Sequence, residues 1–187
     1  AVLPKEALVK IDKHIPFEYA ALFGCGVVTG VGAVINTANA REEDSIAIVG
    51  LGGVGLSALL ASIAIGSKKT IAIDLSNEKL NLAHELGADH ILNPNDANFL
   101  ERVRDLTSGG ANIAIETAGS GQALKTAYDI TRRGGTTVAA GMPGPKVDIT
   151  LSHLSIAAEE RIIKGSYMGS CVAHRDIPKY LDMFQTG

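Results

Sequence analysis

Residues 50–55 read Gly50-Leu51-Gly52-Gly53-Val54-Gly55, and no other stretch limits the fold as strongly. An apolar run over 45–49 feeds into them and a small-residue helical pattern over 56–65 leaves them, so the order is strand, glycine turn, helix N-terminus. In such a unit Gly50 permits the tight turn, Gly52 lets a pyrophosphate approach the backbone, and Gly55 lets the helix pack on the strand. The unpaired amides at the helix start, together with its dipole, then face the phosphates. With 21 glycines in 187 residues, a G-x-G-x-x-G also arises by chance, and the alternative is a merely tight strand-to-helix turn. The context argues against chance. Asp74 lies 19 residues after Gly55, at the end of a second strand-like run over 70–73. That is close to the spacing of about 20 at which an acid accepts the adenosine ribose hydroxyls.

A chain of 187 residues with 46% hydrophobic and 20% charged residues can bury one ample core, which excludes disordered and collagen-like classes. The net charge of -3, without a basic run, leaves no positive footprint for nucleic acid or an anionic membrane. Apolar stretches are interrupted well short of the roughly 20 residues a membrane span needs, and no basic-then-apolar leader opens the sequence. A cytoplasmic protein is the expectation. The two cysteines, Cys25 and Cys171, form no C-x-x-C pair and no disulfide framework, which also favours a reducing compartment. Because the sequence starts at Ala1 and stops at Gly187 just after a helix-like segment, it reads as a piece of something longer.

Residues 1–15 read as an irregular or edge-strand segment, with His14 facing solvent. Pro16 suits a first helical turn, with Phe17, Ala20, Ala21 and Phe23 on one face, and the small-residue run over 27–36 continues as helix. Taken by itself, Cys25 reads as a buried, inert residue. After the glycine turn one theme repeats. Ser76 caps a helix with apolar positions Leu80, Leu82, Ala83 and Leu86 and a stop at Gly87. A strand follows over 89–92, then a helix over 96–106 with the stripe Phe99, Leu100, Val103 and Leu106. A strand over 111–115 ends at Glu116, a helix spans 122–131, and Gly134-Gly135 stop the chain before a strand over 136–140. Helix and strand signals compete over 149–160, a last strand covers 161–165, and a helix closes the chain over 176–185. Strands alternating with helices give an α/β fold: a Rossmann-type doubly wound parallel sheet of about six strands, helices on both faces, ligands at the strand carboxyl ends. Residues 1–40 form a leading segment with linking helices, and 41–187 the dinucleotide-binding domain. The segments at 50–55, Asp74, 116–119 and 141–143 all fall at those carboxyl ends. His84, His90, His153 and His174 lack a second ligand at metal spacing, so a zinc site wholly within this chain is not expected, and Cys171 reads as packing.

The run Gly24-Cys25-Gly26-Val27-Val28-Thr29-Gly30, read with residues 50–55 and Ile73-Asp74, resembles the coenzyme domain of zinc-type medium-chain alcohol dehydrogenases, over most of residues 16–187. The resemblance implies that Cys25 is a thiolate ligand of a catalytic zinc, that Thr29 and Val54 contact the nicotinamide, and that Asp74 and Lys79 bind the adenosine ribose. Glu116 would end the fourth strand, with Thr117, Ala118 and Gly119 beside the adenosine. Ala140, Gly141 and Met142 would lie beside the nicotinamide, and Ser166 and Met168 would meet its carboxamide through backbone groups. Thr117 and Ala118 are smaller than the apolar pair common there. The family's N-terminal catalytic domain, with the other zinc ligands and the proton relay, has no counterpart in this sequence. Family analogy also implies a homodimer joined through residues 147–165.

The implied chemistry is hydride transfer between an alcohol or aldehyde and NAD, with zinc lowering the alcohol pKa. This chain by itself would bind dinucleotide without turnover. Asp74 repels a 2'-phosphate, and Leu75, Ser76 and Asn77 supply no offsetting cation, which favours NAD over NADP, although Lys79 could reach a phosphate. Three rivals stand beside this reading. A zinc-free NADPH-dependent reductase is opposed by Cys25 and Asp74, and a methyltransferase by Cys25 and Thr29 upstream of the turn. A non-catalytic dinucleotide-sensing module fits the chain taken literally.

Overall fold

The computed structural model describes residues 2–5 and 8–186, so residues 1, 6, 7 and 187 of the leading segment and terminus lie outside the described set. Among the described residues the opening segment contains no strand. It leads into a short helix α1 (Phe17–Ala20), with Pro16 at its N-cap, and a 3-10 turn (Ala21–Gly24). Phe23 is buried while Phe17 is 88% exposed, so the expected shared face is split: a turn this tight and short does not hold helical periodicity. Helix α2 (Gly26–Gly32) runs on into a π-helical turn (Ala33–Ala38).

Six strands follow: β1 (Ser45–Val49), β2 (Lys69–Ile73), β3 (His90–Leu92), β4 (Ala111–Glu116), β5 (Thr131–Ala139) and β6 (Ile162–Gly165). All pair in parallel, in the order β3-β2-β1-β4-β5-β6. The connecting helices are α3 (Gly53–Ala64), α4 (Asn77–Glu85), α5 (Phe99–Thr107), α6 (Gly121–Ile130) and α7 (His153–Ala158), and α8 (Ala173–Thr186) closes the chain. Successive side chains of a strand point to opposite faces, so β1 feeds two cores. Ile46 and Ile48 join residues of α2, α3, α4 and α8, whereas Ala47 and Val49 join Phe99, Val103, Ala127 and Ile130 of α5 and α6. Burial on both faces is why β1 reads as an unbroken apolar run.

Several boundaries differ from the sequence reading. Helix α3 begins at Gly53, inside the glycine turn, because packing of the small residues there outweighs their poor helix propensity. Helix α5 starts at Phe99 rather than 96, since Asn98 adopts a left-handed conformation, and Leu100 is exposed. Leu82 of α4 and Leu86 at its C-cap are also exposed, leaving Leu80 and Ala83 as its buried pair. The Gly134-Gly135 stop lies within β5, which begins at Thr131; the ladder with β4 shifts register between Ala111 and Ile113, and Gly134 sits at φ 68°. The contest over 149–160 resolves as helix α7, whose Ser152 caps the Ser155 amide.

No single helix among the described residues is long and apolar enough to cross a membrane. The one bent pair that qualifies by composition, Phe17–Gly24 with Gly26–Ala38, buries residues 28–34 in the core.

Candidate functional site: the crevice at the strand carboxyl ends

In the order 3-2-1-4-5-6 the chain reverses direction across the sheet between β1 and β4, and the loops after these strands splay apart there to leave a crevice. The two loops are tied at their roots. The Thr117 amide donates to the Val49 carbonyl at 2.9 Å, and the Thr117 hydroxyl donates to the Gly50 carbonyl at 2.7 Å. Thr117 therefore turns back onto the glycine turn, while Ala118 lines the crevice.

The three motif glycines differ physically. Gly50 has φ 97°, a conformation L side chains rarely adopt, and its amide donates to the Ile73 carbonyl at 2.8 Å. A Cβ on Gly55 would strike the Gly50 carbonyl oxygen, so the helix and the turn are in backbone contact. At Gly52 and Gly53 a Cβ would meet nothing within 4 Å, and both are exposed. The open side of the turn is thus the N-terminus of the twelve-residue helix α3, capped by the backbone of Gly52 with no side-chain cap. Free amides there suit an anion. Leu51, 1% exposed, anchors the turn in the core.

Asp74 reaches the same turn from β2. Its Oδ2 accepts from the Leu51 amide at 2.7 Å and its Oδ1 from the Ser76 amide at 2.9 Å. Each carboxylate oxygen retains further acceptor capacity. Lys79 Nζ lies 3.9 Å from Asp74 Oδ2 on the solvent side. Asp74, Leu75, Lys79, Asn95, Phe99 and Ala118 line a cleft of about 490 Å³ that continues from the turn.

At the other end of the crevice, α2 crosses α3 with its backbone against it: a Cβ on Gly30 would strike the Val54 carbonyl. Thr29 is buried, its hydroxyl donating to the Cys25 carbonyl at 2.7 Å and standing 3.9 Å from Met168 Sδ. The Ser166 amide donates to the Ala139 carbonyl at 2.8 Å, and its buried hydroxyl pairs with Thr37. Gly119 and Gly141 also touch through their backbones; Ala140 is buried, and the Met142 side chain is exposed. At this end Thr29 stands against Met168, Gly30 against Val54 and Gly119 against Gly141, while the Ser166 hydroxyl is turned to Thr37 and the Met142 side chain to solvent.

A family model described as zinc-binding dehydrogenase matches residues 53–186. The chain belongs to the zinc-binding dehydrogenase family. It is 37% identical to alcohol dehydrogenase B of Mycobacterium tuberculosis, over all of this chain and 50% of that protein. Among solved structures it resembles an alcohol dehydrogenase zinc-binding domain protein from Burkholderia ambifaria, with TM-score 0.94 and 32% identity over 98% of this chain and 50% of that one. It also resembles benzyl alcohol dehydrogenase from Acinetobacter calcoaceticus, with TM-score 0.92 and 33% identity over 96% of this chain and 49% of that one. The chain spans about half the length of the relatives it matches. What it matches is the coenzyme-binding half of zinc-type alcohol dehydrogenases.

The family's metal can be tested on the residues present. Cys25 is exposed, not buried as its isolated reading implied, because the 3-10 turn ends there and its backbone breaks from the helix. Its thiol is therefore accessible. Among the described residues no group of three His, Cys, Asp or Glu side chains is placed to hold a metal. Cys171 is partly buried, and burial together with the nearby Asp176 carboxylate pushes its thiol pKa up, which suits packing rather than chemistry.

The sequence placed Glu116 at the end of the fourth strand but gave no sign of what its carboxylate holds, and a second feature was not seen at all. Glu116 is buried, and its Oε1 accepts from the Gly119 amide at 2.5 Å, bracing the loop against Gly141. Burial raises its pKa, against the pull of the Gly119, Ala118, Ser120 and Gly141 amides. A raised carboxyl stabilises the fold fully below the unfolded value, and that contribution is lost as pH rises through the folded one.

The second is the turn after β6. Met168, Gly169 and Ser170 have φ of 48°, 65° and 49°, a left-handed run costing about 1–2 kcal/mol at each non-glycine residue. Around it lies a buried polar network. Asp176 Oδ2 accepts from the Val172 amide at 2.7 Å, Asn36 Nδ2 at 3.1 Å and Arg175 Nη2 at 2.9 Å. The Arg175 hydrogen bonds hold the Asp176 carboxyl below its usual 3.8, at about 2, outweighing burial. Tyr180, buried beside it, is pushed up to about 12. A depressed carboxyl stabilises above its unfolded pKa and loses that contribution as pH falls through its folded one. Wild type should therefore lose about 2 kcal/mol between pH ~4 and ~2 that Asp176→Asn does not lose. Urea melts of both proteins across that range check this; parallel acid limbs would exclude it.

Proposed function

We propose that this chain is the NAD-binding half of a zinc-dependent alcohol dehydrogenase, which transfers hydride between an alcohol or aldehyde and NAD. The observation that carries the reading is the meeting of Asp74 with the glycine turn: a carboxylate with spare acceptor capacity held 2.7 Å from the Leu51 amide, beside a helix N-terminus that has no side-chain cap and is open at Gly52 and Gly53. In this reading the pyrophosphate lies on the amides of residues 52–54 and the adenosine ribose hydroxyls donate to Asp74. The adenosine continues into the cleft past Lys79 and Ala118, with Thr117 and Gly119 flanking Ala118 in the loop that carries it. The nicotinamide is received by Thr29, Val54, Ala140-Gly141-Met142, Ser166 and Met168. Bound NAD would accept or supply the hydride; the chain's own residues bind it, orient it and cover one side of it.

Asp74 supports NAD over NADP, because a 2'-phosphate would meet a carboxylate, and Lys79, the cation among the described residues that line the cleft, already faces that carboxylate. Cys25 is proposed as one ligand of a zinc whose remaining ligands come from outside this chain, so the chain alone should bind NAD without turnover. The proposed homodimer is supported by β6, the last strand of the sheet, where Ile162 and Ile163 are exposed along an unpaired edge. A cytoplasmic location is part of the same proposal.

Calorimetric titration with NADH and NADPH tests the reading; the absence of Trp excludes indole quenching as a signal. Saturable binding that prefers NADH is expected. A preference for NADPH would favour the zinc-free reductase instead, and binding of neither would refute the dinucleotide site. Cys25→Ser is expected to leave NADH affinity within about twofold of wild type, as exposed substitutions usually do. A larger loss in the same titration would assign Cys25 to the fold.

A further inference from the structure

The left-handed turn at 168–170 is held by a side-chain clamp that reaches it from the side away from the glycine turn. Asn36 and Thr37 sit side by side in the π-helical turn that ends α2, and both face this turn. Asn36 Nδ2 donates to the Gly169 carbonyl at 3.2 Å, and the Thr37 and Ser170 hydroxyls pair at 2.9 Å. From the far side, Asn36 Nδ2 is fixed by Asp176 Oδ2 at 3.1 Å and the Tyr180 hydroxyl at 3.0 Å, both on α8. Gly169 and Gly32 touch backbone to backbone, leaving no slack between the turn and α2. A left-handed run with non-glycine residues persists only where its surroundings enforce it, and such runs gather at ligand clamps. π-turns likewise recur at functional sites. Here the enforced turn carries Met168, whose sulfur stands against Thr29.

We propose that Asn36, braced by Asp176, is a positioning residue for the nicotinamide end of the bound dinucleotide, holding residues 168–170 so that Met168 and Thr29 form one wall for the ring. The inference rests on the dinucleotide reading above. The polar cluster of the π-helical turn and α8 thus controls one end of the ligand and not the other. Releasing the clamp relaxes the turn toward ordinary backbone angles and carries Met168 away from Thr29. The Asp74 end, on the opposite side of the glycine turn, is untouched.

The test is calorimetric titration of the 187-residue chain, and of Asn36→Ala and Asp176→Asn, with NADH and with ADP-ribose, which keeps the adenosine and pyrophosphate but lacks the nicotinamide. ADP-ribose affinity doubles as the check that each variant is folded. NADH affinity is expected to fall about tenfold in the variants while ADP-ribose affinity stays within about twofold. Asp176→Asn keeps the size and shape of the side chain and reads the same effect should Asn36→Ala lose ADP-ribose binding. Equal loss of both ligands in Asp176→Asn, or no loss of either, would overturn the positioning role, as would wild-type chain that binds NADH no more tightly than ADP-ribose. Wild-type chain that binds neither would remove the dinucleotide reading and this inference with it.

Discussion

Gly55→Ala will lower the stability of the chain by about 1–3 kcal/mol and abolish measurable NADH binding, although it adds a single methyl group. That methyl has to enter the space held by the Gly50 carbonyl oxygen, with the Thr117 hydroxyl 2.8 Å away. Neither neighbour is the free end of a flexible side chain: one is backbone, and the other is bonded to that same carbonyl at 2.7 Å. Helix α3 must therefore move off β1, and its amides with it. Gly52→Ala supplies the contrast. Its Cβ meets nothing within 4 Å and its backbone, at φ -81° and ψ -171°, is open to alanine, so stability should stay within about 0.5 kcal/mol of wild type. Its methyl would nevertheless stand where the pyrophosphate is proposed to lie. Thermal melts paired with NADH titrations separate the two: Gly55→Ala loses stability and binding, Gly52→Ala binding alone. Full binding by Gly52→Ala would remove the pyrophosphate from this turn.

Asp74→Ala is expected to weaken NADH binding about 10–100-fold and to narrow the gap between NADH and NADPH. A hydrogen bond to a charged group contributes about 1.5–3 kcal/mol, and the substitution removes the proposed ribose acceptor outright. It also strips the partner from the amide of Leu51, a residue in the core, so the turn itself loosens. Asp74→Ser keeps a short acceptor without the charge and isolates the electrostatic part: NADPH, no longer facing a carboxylate, should gain relative to NADH. Lys79 then stands free of its 3.9 Å partner and becomes available to a 2'-phosphate. Parallel titrations with both dinucleotides read the ratio directly. A ratio unchanged in both variants means that Asp74 does not hold the ribose.

What the sequence revealed follows from the range of the forces involved. The strands β1, β2 and β4 stood out because burial on both faces demands continuous apolar residues, and the motif glycines stood out because the tasks at Gly50 and Gly55 tolerate nothing larger. The start of β5 did not. Thr131 through Gly135 carry two arginines and two glycines, a turn-like composition that joins the sheet through a register shift fixed by the neighbouring strand. Nothing local to those residues encodes that partner. Asp74 was legible as an acid at a set spacing, but its bond to the Leu51 amide depends on how β2 lies against β1. The Asn36 cluster was invisible for a related reason: Asn36 and Asp176 are separated by 140 residues, and each alone is an unremarked polar residue in a helix. Cys25 was expected to be buried when read in isolation, because exposure at a broken helix start is set by three-dimensional packing.

The crevice is constructed differently at its two ends, and this bears on how it could be re-engineered. Around Asp74, Lys79 and Ala118 the walls are side chains on loops, replaceable one at a time without moving the scaffold. Around Thr29 and Met168 the walls are set by main chains in direct contact, at Gly30 against Val54 and at Gly32 against Gly169. Point substitution suits the first end. The second can be exchanged between relatives only as a matched block, with α2, the start of α3 and the turn after β6 transplanted together.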